Sequence, residues 1–137
     1  MNNRTFTIIK PDAVAAGKTG RILDMMIGGG FTLRAMRMTR MSREDAEKFY
    51  AIHRDRPFFG ELVDFMTSGP VVVAVLEKED AVKSLRELAG NTDPAKAAEG
   101  TIRRLYGTNV GCNAVHASDS DENAVVESGQ FFGEEMK

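Results

Sequence analysis

A single cysteine, Cys112, no tryptophan, four prolines and only two histidines, His53 and His116, narrow the chemistry open to this chain of 137 residues. One thiol excludes an intramolecular disulfide and sets a reducing compartment, the cytoplasm, as the expectation. The N-terminus also lacks the apolar core of a secretory leader. Two imidazoles and one thiol are too few for a dense zinc or redox centre, so no protein metal ligands are assigned. No apolar run nears the roughly 20 residues needed to cross a bilayer, so no membrane association is expected. Charge of one sign is missing too. Eighteen basic against 20 acidic residues leave a net charge of -2, which argues against a dedicated nucleic-acid footprint. Any work done by arginine must therefore be local, as in holding a phosphate. What remains is a 42% hydrophobic content, suited to one packed domain over residues 1–137. No internal repeat or long linker interrupts it.

Along the chain, short β runs alternate with helical stripes. Residues 5–9 predict a strand ended by Lys10-Pro11-Asp12. Gly17-Lys18-Thr19 imitates a phosphate-binding loop. That pattern needs a glycine five residues before Gly17, where Asp12 stands, so Gly17 is read as a helix entry. Ile22, Leu23, Met26 and Ile27 form the inward stripe of that helix, which Gly28-Gly29-Gly30 stops. Residues 31–38 predict a second strand, with a change of parity at Ala35-Met36 that marks a bulge. Its methionines are read as core filling. Ser42 is a cap candidate for a helix gathering Ala46, Phe49, Tyr50 and His53 on one face. Arg56-Pro57 breaks the run, and Phe58, Leu62, Phe65 and Met66 make the next stripe.

After Ser68-Gly69-Pro70, the β-branched run 71–76 predicts an interior strand. Residues 79–89 predict a helix with Ala81, Val82, Leu85 and Leu88 inward, Arg86 beside them and Gly90 closing it. The polar excursion 91–111 holds two short helices at most, 94–98 and 101–106, and so predicts a functional loop. Val115 marks a last strand and 122–128 a last helix, with Gly129 opening a tail. In that tail Phe131 and Phe132 serve the core or a subunit contact. The order β-α-β-(helices)-β-α-β predicts an α+β, ferredoxin-like split βαβ domain. Such a domain is a four-stranded antiparallel sheet with helices packed on one face, here with the long loop added. A Rossmann alternative lacks its glycine fingerprint.

Residues 113–119, Asn-Ala-Val-His-Ala-Ser-Asp, hold the chain's main candidate. His116 there can act as nucleophile, general base, metal ligand or capped turn residue, and the stretch alone does not choose. Gly107 and Gly111 on the approach allow tight backbone placement. Ser120-Asp121-Glu122-Asn123 resembles a helix start. Cys112 is read as a small structural residue.

Several separated segments carry a resemblance. They are Ile9-Lys10-Pro11-Asp12, Phe49-Tyr50-Ala51-Ile52-His53, Arg56-Pro57-Phe58-Phe59, Ser68-Gly69-Pro70-Val71-Val72, Glu99-Gly100-Thr101-Ile102-Arg103 and the 113–119 stretch. In this order and at these separations the chain resembles the nucleoside diphosphate kinase family over nearly its whole length. The resemblance implies the ferredoxin-like core. It also implies ping-pong transfer of a γ-phosphate from a nucleoside triphosphate to a nucleoside diphosphate through a phosphohistidine on His116. It implies Glu127 as the orienting partner, with Ser118 nearby. Lys10 and Tyr50 then lie near the transferred phosphate and the sugar, Arg86, Thr92 and Arg103 bind phosphates, and Asn113 meets the sugar. Phe58 stacks on the base and Leu62 closes the apolar side of that slot. His53 is given a structural or supporting role.

Mg²⁺ is implied as a companion of the nucleotide phosphates. A homo-oligomer is implied as well, with a tetramer favoured here over a hexamer. Ala117 stands where the family usually has glycine, which puts the turn geometry in question. The tail after Phe132 is short beside many members. An inactive nucleotide-binding regulator and a single-stranded nucleic-acid binder are the rival functions. Retention of both His116 and Glu127 weighs against the first, and the balanced charge against the second.

Overall fold

A run of apolar β-branched residues can be buried on both faces only inside a sheet. In the computed structural model, which describes residues 3–133, that run forms β3 (Val71–Glu77). It lies between β2 (Thr32–Thr39) and β1 (Arg4–Ile9), and β1 pairs on its far side with the short β4 (Val115–Ala117). The order is β2-β3-β1-β4 and all neighbours are antiparallel, the expected split βαβ arrangement. Residues 71–76 of β3 are fully or almost fully buried.

Among the described residues seven α-helices accompany the sheet, α1 (Pro11–Ala15), α2 (Thr19–Gly28), α3 (Arg43–Phe49), α4 (Phe59–Met66), α5 (Ala81–Ala89), α6 (Ile102–Tyr106) and α7 (Asp121–Phe132), with two single 3₁₀ turns at Ala51–His53 and Pro94–Lys96. Both faces of the sheet are covered, which corrects the expectation of one. Ile9, Val72, Leu76, Val115 and Ala117 pack with Ile22 and Met26 of α2, Leu85 of α5 and Ile102 of α6. On the opposite face Phe6, Ile8, Val73 and Val75 meet Ala46 of α3, Val63 and Met66 of α4, and Phe131 of α7. The period of two along β1 requires this, because Phe6 and Ile8 point away from Ile9 and all three are buried. The crossover helices α2 and α5 share one face, and the inserted pair α3–α4 with α7 takes the other.

Ser42 caps α3 through a reciprocal box with Asp45. Ser120 caps α7 by accepting the Asn123 N–H at 3.1 Å. Other expectations need adjustment. The segment after Lys10 does not merely end a strand, since Pro11 opens the short α1 at a position that needs no N–H. Ile27 is 53% exposed, because at 100° per residue it lies roughly 140° around the helix from Ile22. The bulge in β2 falls at Arg34, between Leu33 and Ala35. Met36 and Met38 are exposed on this outer strand rather than filling the core.

Gly129 does not end α7, which runs on to Phe132. A mid-helix glycine costs about 1 kcal/mol. Burying Phe131 repays roughly 1.5–3 kcal/mol, and its ring stacks on Phe6 at 5.5 Å. Phe131 is thus a core residue, and Phe132 lies under the Arg37 guanidinium. The tail beyond Gly133, to which the shortness applies, lies outside the described residues. No helix among the described residues is long and apolar enough to cross a membrane.

Candidate active site

β1 and β4 bring the two ends of the candidate site together. Ile8 pairs with His116 and Ile9 with Val115, so Lys10, just past the end of β1, lies beside the turn that leads into β4. Lys10 N–H donates to the Ala114 carbonyl at 2.8 Å. Alternation along β4 buries Val115 and Ala117 on one face and turns His116 to the other. There its ring meets the edge of Phe49 at 4.9 Å and 79°.

His116 Nε2 lies 2.8 Å from Glu127 Oε1. A carboxylate accepts, so Nε2 carries the proton and Nδ1 keeps its lone pair. Ser118 Oγ is 2.6 Å from the same carboxylate oxygen and 3.2 Å from the Phe6 carbonyl, and its single proton serves the nearer acceptor. Nδ1 has no hydrogen-bond partner among the described residues. The α7 cap fixes the helix that delivers Glu127, so a serine seven residues upstream helps set the imidazole.

β4 is an outer strand whose outward carbonyls need donors. Arg103 supplies one, with Nη2 to the Val115 carbonyl at 2.9 Å and Nη1 to the Gly90 carbonyl at 2.9 Å. Arg86 reaches the Ala117 carbonyl at a long 3.4 Å. Two guanidinium groups therefore bracket His116 through the backbone on either side of it. Burial, with the Arg86 charge adding to it, lowers Arg103 to about 10. Its Nε is buried without a partner. Lys10, also buried, is lowered to about 8 by desolvation and then by Arg103, with Asp12 and Cys112 pulling the other way. Among the described residues none of these three cations has a carboxylate within ion-pair distance. Mutually repelling cations without an ion-pair partner make a strong site for an anion.

The remaining expected residues divide into two groups. Phe58, Leu62 and Lys10 line one cavity of about 560 Å³ together with Val110, Gly111 and Cys112. Phe58 is 46% exposed at the start of α4, so it is not core. Asn113 is buried, with Oδ1 accepting from Lys10 Nζ at 2.8 Å and Nδ2 donating to the Thr92 carbonyl at 3.1 Å. One amide N–H remains for a ligand. Thr92 is exposed and contributes its backbone to that contact. Tyr50 is buried with its hydroxyl unpartnered, and burial, then the Glu127 charge, raises its pKa so that the hydroxyl stays a donor. Arg86 lies outside the cavity, in a separate depression with Lys83, Asp119 and Ser120. His53 lies near the rings of Tyr50 and Phe58, at 6.5 and 5.5 Å.

Three contributors were not foreseen. Thr7 Oγ1 holds the His116 carbonyl at 2.7 Å. Phe49 backs the imidazole, and Val110 lines the same cavity as Phe58. Only Val110 carried a signal, an apolar residue alone between Asn109 and Gly111 in a polar loop. Gly107 is required where it stands, since a Cβ would meet Pro94 at 2.6 Å, whereas Gly111 has more room. The question over Ala117 also resolves. It sits in β4 without a positive φ, and the residue of this stretch that has one is Ala114, at φ 75°.

The family model described as nucleoside diphosphate kinase matches residues 3–136. A nucleoside diphosphate kinase of Phenylobacterium zucineum is 56% identical over 135 residues, covering 98% of this chain and 97% of the relative. One of Nitrobacter hamburgensis is 59% identical over 129 residues, covering 94% and 92%. The crystal structure of the Aquifex aeolicus nucleoside diphosphate kinase superposes with a TM-score of 0.94 at 50% identity, covering 98% of this chain and 97% of that one. A halophilic nucleoside diphosphate kinase from Halobacterium salinarum, solved in complex with CDP, gives 0.93 at 39% identity, covering 99% and 91%. Likeness of this extent, in residues as well as in backbone, goes beyond a shared architecture: the chain belongs to the nucleoside diphosphate kinase family.

Proposed function

We propose that residues 1–137 act as one nucleoside diphosphate kinase domain, moving the γ-phosphate of a nucleoside triphosphate to a nucleoside diphosphate in two steps. The observation that carries this reading is the His116–Glu127 contact at 2.8 Å, which leaves Nδ1 as the nucleophile. In the first step the Nδ1 lone pair attacks the γ-phosphorus, the bond to the bridging oxygen breaks, and the diphosphate leaves. Glu127 balances the positive charge that grows on the ring. In the second step a terminal oxygen of the acceptor diphosphate attacks the same phosphorus, the P–N bond breaks, and His116 returns to its starting state. Lys10, Arg86 and Arg103 hold the oxygens on which charge spreads, with the Thr92 hydroxyl beside them. The unpartnered Tyr50 hydroxyl and the spare N–H of Asn113 serve the phosphate–sugar end. Phe58, Leu62 and Val110 take the base by its faces, which favours breadth of base over selection. The solved relative in complex with CDP supports a nucleotide in this cavity.

Among the described residues no group of three His, Cys, Asp or Glu side chains is assembled to hold a metal. With cations dominating the site, the donor set fits Mg²⁺ carried by the nucleotide's own phosphates. Bound that way, the ion draws charge from the phosphate oxygens.

Lys10 gives a pH test. As pH rises through about 8 the ammonium of the nucleotide-free protein is lost, so kcat/KM is expected to fall there. Bound phosphates favour the charged form, so the matching limb in kcat lies higher. Lys10→Met should lower kcat/KM by about 10²-fold and remove the limb. A basic limb unchanged in that variant would assign it elsewhere. The effect on folding has the opposite sense. The cost of burying the charge is present in full below pH 8 and is relieved as pH rises toward the ordinary value of 10.5.

We place the protein in the cytoplasm on its single thiol. It self-associates, and a tetramer is the preferred state over a hexamer. The free edge of β2, with Met36 and Met38 exposed, supports self-association. Light scattering across a concentration series should give a four-subunit mass. A monomer throughout would overturn self-association, and a six-subunit mass only the choice of tetramer.

A further inference from the structure

Asp12 belongs to a segment that the sequence marks out, yet the transfer steps above give it no task. Its carboxylate faces a backbone corner. Oδ2 accepts the Ala114 N–H at 3.2 Å, and Oδ1 is buried with no hydrogen-bond partner among the described residues. Ala114 has φ 75° and no exposed surface, a left-handed conformation that residues with a Cβ avoid. A first-turn acid in a helix as short as α1 has an ordinary explanation when it is solvated. A buried oxygen and a bond to a residue over 100 positions away do not share it.

The corner joins two halves of the site. On one side Asn113 holds Lys10 Nζ, and on the other β4 carries His116. Lys10 N–H bonds the carbonyl of the same corner residue. One strained residue thus sets where the ammonium stands relative to the imidazole.

We propose that Asp12 is a positioning residue for phosphoryl transfer: its carboxylate pins the left-handed corner at Ala114, sets the spacing of Lys10 and His116, and offsets the Arg103 charge around the Lys10 ammonium. The proposal rests on the transfer reading above. The charged and titratable groups facing Lys10 are Arg103, which opposes its charge, and Asp12 and Cys112, which favour it. The Asn113 amide completes the set. Asp12 makes no ion pair with Lys10, so its charge acts across a gap.

Asp12→Asn keeps an acceptor for the Ala114 N–H and removes the charge, whereas Asp12→Ala removes both. Phosphorylation of His116 by subsaturating γ-labelled ATP is followed against pH in the full chain, for the wild type, D12N, D12A and D12A combined with Ala114→Gly. In D12N the basic limb is expected to move down by about 0.5 pH unit or more. In D12A the rate below the limb is expected to fall about tenfold or more. Adding A114G should recover most of that rate, since glycine takes the corner unaided, without returning the limb to its wild-type position. An unmoved limb in D12N, or a D12A rate equal to wild type, overturns the proposal. Should D12A fail to fold, the limb in D12N decides alone. Failure of the wild type to label at all would instead overturn the transfer reading, so the two failures are distinct.

Discussion

Replacing His116 with alanine is expected to lower turnover by at least about 10⁴-fold, the scale on which a nucleophile is lost. The fold should survive, because Val115 and Ala117 supply the buried contacts of β4 while the His116 side chain keeps 20% of its surface exposed. The substitution removes an edge contact with Phe49 and leaves Glu127 with its bond from Ser118. The carboxylate is thus not stranded, and most of the measured effect belongs to chemistry. Turnover with ATP as donor, beside a thermal melt of both proteins, separates the two. Unimpaired turnover in H116A would remove the nucleophile assignment, whatever the melt showed.

The second large effect is expected at Arg86. Its side chain is exposed on α5 and makes one long hydrogen bond, to the Ala117 carbonyl, so truncation should cost the fold little. Its charge is another matter. Burial, and after it the Arg86 charge, lowers Arg103, and a bound phosphate offsets the repulsion between the two guanidinium groups. Arg86→Ala is therefore expected to lower kcat/KM by about 10²–10³-fold for every nucleoside triphosphate alike, since all share the phosphates. Phe58→Ala touches the other end of the nucleotide. Loss of one stacking face, about 1–1.5 kcal/mol, should raise KM roughly tenfold across bases with kcat little changed. Stopped-flow phosphorylation with purine and pyrimidine triphosphates reads both. Sharp base selection appearing in F58A, or a base-dependent loss in R86A, would contradict this division of labour.

Much of this was legible in the residues. The interior strand could be read because six apolar residues in a row fit no other place in a small sheet, and the β-α-β order then left one compact topology. The proposed catalytic set was reached through resemblance rather than periodicity. Its members come from the ends of β1 and α3, from α4, α5, α6, β4 and α7, and from the loops between them, which no local pattern connects. What stayed hidden depended on tertiary context. Gly129 is a helix stop by propensity, overruled by the burial of Phe131. Met36 and Met38 look like core until the bulge at Arg34 and the outer position of β2 place them in solvent. The resemblance put the turn geometry in question at Ala117, where glycine is usual, but the positive φ belongs to Ala114. That residue is held by an aspartate from the other end of the chain, a contact that spacing alone does not reveal.

The central claim is covalent, and covalent labelling tests it most directly. The protein is incubated with γ-phosphate-labelled ATP and Mg²⁺, quenched in alkali, where a phosphohistidine survives, and mapped by peptide. Label on the peptide carrying His116, discharged on adding a nucleoside diphosphate with labelled triphosphate as product, is the expected result. Label on His53, or label that a diphosphate cannot remove, would contradict it.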